Sequence, residues 1–375
     1  MAKVTVQGLF DQHKNNLLDR LNLPLHQLKA FDSLSSCRTA SLGGHVQRCQ
    51  NGHLNGVWYN SCKHRSCPQC RSVASEEWLL NTKRLLLDCP HHHVVFNIPQ
   101  ELRMVCRYNR ALMTGLLFKA AQHTLLKFSK DPKYLGATPG ILSAYHNWGR
   151  NLSENPHVHV LITHGGLDSS GNWVKPKKEI LFPQAAVMKV FRGKLLDSIR
   201  NALDKPGFSF PEDLDITRTK TLLNKLGRIR WATYFCERYD HGGGVAKYLA
   251  RYVKRGPLNN GQLVNLKDDR VTFRYKSHTT KRLETMNLSV EHFTKRLLEH
   301  VPPARQARIR YCGLYSPSSR SKLNTARESL GQEAVTERTV IDWMSYLEDR
   351  GKLPLCKECQ QPIVHRETLE REHWA

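Results

Sequence analysis

Two histidines two residues apart, His157 and His159, lie in the apolar run PHVHVLIT, and two tyrosines four apart, Tyr248 and Tyr252, lie in VAKYLARYVKRGP. On a strand, residues two apart share a side, so both imidazoles are placed to grip one metal ion. Four residues is about one helical turn, which points both phenol oxygens from one helix face. A metal beside a nucleophilic hydroxyl is equipment for attacking a phosphodiester and holding the product covalently. One such tyrosine opens a strand, whereas two can open and rejoin strands in sequence.

Neither pair is decisive by spacing alone. With 19 His in the chain, roughly one His-x-His is expected by composition, and His91/His93 is a second. Tyr-x-x-x-Tyr also recurs as Tyr311/Tyr315, but Gly313 between them and Pro317 behind them speak against a helix there. Tyr248 and Tyr252 instead sit among Ala, Lys, Leu and Arg, good helix formers closed by Gly256-Pro257. Paired aromatics on a helix ordinarily pack a core. Lys247, Arg251, Lys254 and Arg255 shift that balance, because cations beside a tyrosine favour its phenolate and attract a phosphate. These four are read as DNA contacts.

The chain carries 57 Lys+Arg against 33 Asp+Glu, a formal charge of +24, which points to a polyanion, DNA or RNA, as partner. The basic residues are spread along the sequence, as an extended binding surface requires. Its 375 residues allow two or three domains with a real core. No stretch approaches the ~18 apolar residues of a membrane span, and the charged N-terminal segment lacks a signal-peptide apolar core. The expected location is cytoplasmic and nucleoid-associated. Eleven cysteines, an odd number, suit metal ligation in a reducing compartment better than a disulfide framework.

Five of those cysteines, Cys37, Cys49, Cys62, Cys67 and Cys70, crowd together with His45, His53 and His64. Tetrahedral zinc takes four soft or borderline ligands, so the window suffices for one or two ions. Cys67 and Cys70 rank first, followed by Cys49, Cys62, Cys37 and His45, then His53, with His64 last. Spacing does not divide them between ions. A second knuckle, Cys356/Cys359, has His365 and His373 as possible completing ligands. Cys89, Cys106, Cys236 and Cys312 read as isolated thiols.

The elements that must position these groups follow from periodicity and breakers. Short helices fill residues 1 to about 36, and a helix spans about 71–88. HHHVVFNIP is a strand closed by Pro99, and residues 101–130 show helical spacing. ILSAYHNWG and PHVHVLITH form a strand pair joined by the polar turn 151–156, with Val158, Val160 and Ile162 on one side and His157, His159 and Leu161 on the other. Helices are expected near 184–204, 218–239 and 338–349, and VTFRYKS is a strand. Mixed order of this kind implies an α+β fold, an antiparallel sheet with packed helices. Expected boundaries are 1–88 for N-terminal helices and a small zinc-binding module, 89–300 for the catalytic domain, and 301–375 for a basic C-terminal region.

Six ordered blocks, SLGGHVQRC, YNSCKHRSCPQC, HHHVVFNIPQELR, NPHVHVLITHGG, KYLARYVKR and HVPPARQARIRYCGL, together resemble the insertion-sequence-ninety-one type of rolling-circle transposases. These belong to the two-tyrosine subgroup of the HUH endonuclease superfamily. The resemblance covers about residues 30–320. It implies an HUH endonuclease-like fold, Mg²⁺ or Mn²⁺ at His157 and His159, and nucleophiles at Tyr248 and Tyr252. It also implies zinc in the Cys37–Cys70 block, and nicking and rejoining of single-stranded DNA at element ends through 5′-phosphotyrosine. Gly52 stands where the family often has a second Cys, with His53 as its substitute, and Ser66 stands where it often has His. For the superfamily's usual third metal ligand, His146 and Glu154 are the local candidates, and Trp148, Trp173 and Trp231 are candidates for base stacking. Three other readings stay open: a replication initiator or relaxase, a non-catalytic zinc-dependent DNA-binding protein, and a metal nuclease without a covalent step.

Overall fold

The computed structural model describes residues 4–70, 72–241, 244, 256–277, 279–338 and 341–371. The chain opens with helices α1 (Val6–Gln12), α2 (Lys14–Arg20) and α3 (Leu25–Ser35). Thr5 caps α1 by accepting the Gly8 amide, one of the donors a helix start leaves unpaired. Phe10 and Phe31 stack at 4.6 Å between ring centroids and lock α1 to α3. Strands β1 (Gly44–Cys49) and β2 (Leu54–Tyr59) form a hairpin, and α4 (Ser72–Leu85) leads out of it.

The central layer is assembled from β3 (His91–Asn97), β4 (Gly140–Trp148), β5 (Glu154–Thr163), β8 (Thr233–Tyr239) and β12 (Ile309–Gly313). Their order is β12-β4-β5-β3-β8, every pairing antiparallel. Between them in sequence lie α5 (Arg103–Tyr108), α6 (Arg110–Lys130), the short hairpin β6/β7 (Gly166–Leu167, Trp173–Val174), α7 (Gln184–Leu203) and α8 (Ile216–Arg228).

Alternation along the strands decides what each face meets. Val94, Phe96, Ile141, Val158, Val160 and Ile162 point into one core with residues of α6 and α7 such as Leu117, Leu125 and Phe191. The opposite face is apolar at one end, where Leu142 and Leu161 meet Leu314, Tyr315 and Leu323. At its other end that face carries histidines. The α+β expectation, an antiparallel sheet with packed helices and a cysteine-bearing module, describes this architecture.

Strands β9 (Leu263–Lys267), β10 (Arg270–Lys276) and β11 (Leu283–Ser289) form a second sheet that runs into the helix Val290–Glu299. Val271, Phe273 and Phe293 from this unit share a core with Phe10, Phe31 and Leu34 of the N-terminal helices. The last strand, β13 (Ile363–Leu369), pairs with β1 and completes a three-stranded sheet, β13-β1-β2.

Two sequence expectations need correcting. The helix expected over 218–239 ends at Arg228, and residues 233–239 form β8 against β3. The run ThrTyrPheCys is β-branched and aromatic, and the open edge of β3 offers it a ladder, so pairing overrides the helical extension. The stretch 301–375 does not stand apart: β12 lies in the central sheet and β13 in the N-terminal one. Both choices are long-range pairings that local pattern does not specify.

Candidate functional site

The register of the central sheet brings three imidazoles together. His146 on β4 is the direct cross-strand neighbour of His157 on β5, and His159 follows two residues on. Cross-strand partners share a face at about 5 Å between Cβ atoms. The ring nitrogens that could serve as ligands all lie within 4.8 Å of one another. His157 Nε2 and His159 Nε2 are 3.0 Å apart, and the His146 and His159 rings are 4.4 Å apart between centroids. Adjacent ligands on an octahedral ion at ~2.1 Å sit about 3 Å apart, so the cluster fits one small divalent cation.

The surroundings orient these rings and disfavour protonation of two of them, His146 and His159. Burial, followed by repulsion from its His neighbours, holds the pKa of His146 well below the usual imidazole range, and the same causes act on His159. Neutral imidazole is the ligating form. His157 Nδ1 lies 2.5 Å from the Asn155 carbonyl, which leaves Nε2 as the ring nitrogen turned toward the cluster. His159 Nδ1 lies 2.8 Å from Nε2 of His93 on β3. His146 stacks on Trp148 at 5.2 Å, and the Arg308 guanidinium sits 5.5 Å from the Trp148 ring.

Of the two local candidates for a third ligand, the geometry selects His146. Glu154 is bound instead by Arg107 at 2.8 Å and Arg110 at 2.9 Å. Spacing does not single out His93: its period-two relation to His91 is visible in the sequence, but composition alone accounts for a second His-x-His. Trp231 is core, its indole donating to the Leu226 carbonyl, whereas Trp148 stands beside the histidines. Tyr248, Tyr252, Lys247, Arg251, Lys254 and Arg255 lie outside the described residues. Gly256, just beyond them, approaches the cysteine block so closely that an added Cβ would stand 2.7 Å from the Ser66 carbonyl oxygen.

The cysteines divide into two groups that spacing could not separate. Cys37, Cys62, Cys67 and Cys70 form one, and Cys49, His53, Cys356 and Cys359 the other. In the first, Cys37 and Cys67 sulfurs are 3.5 Å apart, and those of Cys62 and Cys70 are 3.7 Å apart. A tetrahedral zinc at ~2.3 Å from each sulfur needs edges of about 3.8 Å, so this group fits zinc. The amides of His64 and Gln69 point at the Cys62 and Cys67 sulfurs, a pattern that stabilises thiolates. Hydrogen bonds led by that from Cys62 pull the Cys37 thiol down to about 7. His45 joins neither group; its Nε2 is 3.0 Å from the Gln47 amide nitrogen. His64 accepts the Ser66 amide through Nδ1.

Metal removal should expose how far this module depends on its ion. A strong chelator is expected to release zinc and unfold residues 37–70, because a loop-rich segment of this length draws ~10 kcal/mol of its folding energy from the metal. Elemental analysis together with protease sensitivity of that segment measures it. Full retention of structure in zinc-free protein would count against a structural ion.

Comparison with known proteins agrees with this layout. The model of a family described as "Transposase zinc-binding domain" matches residues 9–98, and one described as "Putative transposase" matches residues 140–322. The chain is 33% identical over 318 residues to "Putative transposase y4qJ" of Sinorhizobium fredii, covering 83% of this chain and 80% of that one. It is 29% identical over 326 residues to "Transposase for insertion sequence element IS801" of Pseudomonas savastanoi pv. phaseolicola, covering 83% and 77%. With a relative a third identical across most of both chains, and both family spans matched in order, this chain belongs to the insertion-sequence-ninety-one family of transposases.

Proposed function

We propose that this transposase nicks and rejoins single-stranded DNA at the ends of its element, in rolling-circle transposition, with Tyr248 and Tyr252 as nucleophiles. The observation that carries the reading is the convergence of His146, His157 and His159 on one point of the sheet face. Imidazole donors favour Mn²⁺ over Mg²⁺ by the usual affinity order, although either ion fits the space. A divalent cation held there supplies Lewis-acid polarisation of the scissile phosphate.

The chain's own residues do the rest. A tyrosine oxygen attacks phosphorus in line; the new O–P bond forms as the bond to the 3′-oxygen breaks. The phenolic proton passes to solvent, and the departing 3′-oxygen takes a proton in turn. The product is a 5′-phosphotyrosine and a free 3′-hydroxyl, so the phosphodiester energy is kept for rejoining. Lys247, Arg251, Lys254 and Arg255 would hold phosphates and favour the phenolate. An open cleft of about 440 Å³ reaches Asn155, two residues before His157, and carries Arg103, Arg150 and Lys276. That charge suits a strand led past the histidines.

Transposase family membership favours this reading over a replication initiator or a non-catalytic regulator. The test is a denaturing gel of purified protein with labelled single-stranded element-end DNA, in Mn²⁺ or Mg²⁺ and in chelator. A protein–DNA adduct that requires the metal is expected; nicking without any adduct would favour a metal nuclease with no covalent step.

His93 gives a more specific check. Its hydrogen bond to His159 Nδ1 aims the opposite nitrogen at the metal point, and losing such a support costs about 10–100-fold in metal affinity. His93→Ala should therefore raise the Mn²⁺ concentration for half-maximal cleavage by that factor, with excess Mn²⁺ restoring the rate. An unchanged metal requirement would reduce His93 to packing.

A further inference from the structure

The second group of ligands spans the molecule's two ends. Cys49 and His53 belong to the N-terminal hairpin, while Cys356 and Cys359 lie beyond residue 322, where the matched family spans end. Cys359 and Cys49 are 310 residues apart in sequence, yet their sulfurs are 3.6 Å apart. Cys356 Sγ is 3.8 Å from His53 Nδ1. Both edges match a tetrahedral ion with ligands at ~2.0–2.3 Å, and a disulfide would need sulfurs at ~2.05 Å.

The local backbone is shaped for this. The β1/β13 register shifts between Arg48 and Cys49, a bulge that skips a residue of β13 and pairs Cys49 with Ile363 at the end of the ladder. The Gly52 amide donates to the Cys49 carbonyl, and Gly52 takes φ +79°, a conformation glycine adopts freely, so that His53 swings back beside Cys49. Just ahead of β13, the Cys356 amide donates to the Gln361 carbonyl and the Gln360 amide to the Cys356 carbonyl, closing a knuckle around Cys356 and Cys359. The far ring nitrogen of His53 faces the Glu358 carboxylate at 3.7 Å. A metal-bound histidine characteristically has such an outer partner on its second nitrogen.

We propose that Cys49, His53, Cys356 and Cys359 form a second zinc site, which staples the C-terminal strand to the N-terminal zinc-binding module. The Cys-x-x-Cys of the tail is thus completed by Cys49 and His53; His365 is not in the group, and His373 lies outside the described residues. The staple has a physical task. A two-stranded hairpin is marginal alone, and β13 supplies the third strand while covering the exposed edge of β1. A tail joined by β pairing and one knuckle gains most from a crosslink that closes a long loop.

Elemental analysis of the full-length protein tests this. Two zinc ions per chain are expected for the wild type, and one for Cys356→Ala/Cys359→Ala. One ion in both proteins would overturn the site, as would recovery of a Cys49–Cys359 disulfide. Because misfolding of that variant would also release zinc, X-ray absorption of the wild type provides an independent reading. Seven sulfurs and one imidazole nitrogen shared over two zincs support the proposal; sulfur alone refutes it. In the folded variant, trypsin should remove the tail at least ~10-fold faster, since the ion no longer closes it; an unchanged rate would refute the staple.

Discussion

The Tyr248→Phe/Tyr252→Phe double variant is expected to form no covalent adduct with element-end DNA, while its fold and DNA affinity stay unchanged. Phenylalanine keeps the ring and removes only the hydroxyl, so a packing role predicts near-silent substitutions. A nucleophilic role predicts complete loss, because no other group then makes the O–P bond. Each single variant should stop or severely reduce transposition, since two covalent links are needed in sequence. Isolated strand cleavage is expected to survive in one of them, because one phenol suffices for one cut. The measurement is adduct yield on denaturing gels beside binding by the same proteins. A double variant that still traps on its DNA would identify another nucleophile and overturn the proposed mechanism.

If the clustered histidines hold the proposed cation, replacing them should be nearly as severe. His157→Ala or His159→Ala is expected to reduce cleavage by ~10³-fold or more, because Lewis-acid stabilisation contributes several kcal/mol and each 1.4 kcal/mol is tenfold. DNA affinity should change by no more than about twofold, because it comes mainly from phosphate contacts elsewhere. His146→Ala separates two roles for the third ring. If it ligates, metal affinity falls together with rate; if it only packs against Trp148, the metal requirement is unmoved. Undiminished Mn²⁺-dependent nicking by His157→Ala/His159→Ala would remove this cluster from the mechanism.

What local pattern carried into the structure was whatever depends on residue period. Alternation in PHVHVLIT placed Val158, Val160 and Ile162 in one core and His157 and His159 on the other face. Arg270–Lys276 behaves the same way, with Val271 and Phe273 buried and Arg270 and Arg274 exposed. Helix 184–204 was legible because its apolar positions repeat on one face and Pro183 precedes it. The limit appears at 233–239, where a β-branched and aromatic run suited two structures and the free edge of β3 chose between them.

The sequence by itself determined which residues can do chemistry: a histidine pair on a strand, a cysteine-rich window, and a tyrosine pair among cations. Partnership was decided by tertiary structure, because ligand groups are built across strands and sequence spacing carries no register. Antiparallel pairing chose His146 over Glu154 as the third imidazole-site member, since His146 lies opposite His157 while two arginines hold Glu154. Pairing of β3 with β5 put His93 beside His159. Joining β13 to β1 separated eight crowded candidates into two tetrads, excluded His45 and His64, and brought in Cys356 and Cys359 from the far end of the chain. A metal site needs atoms within a few ångströms of one point, and only the folded backbone sets which distant residues meet there.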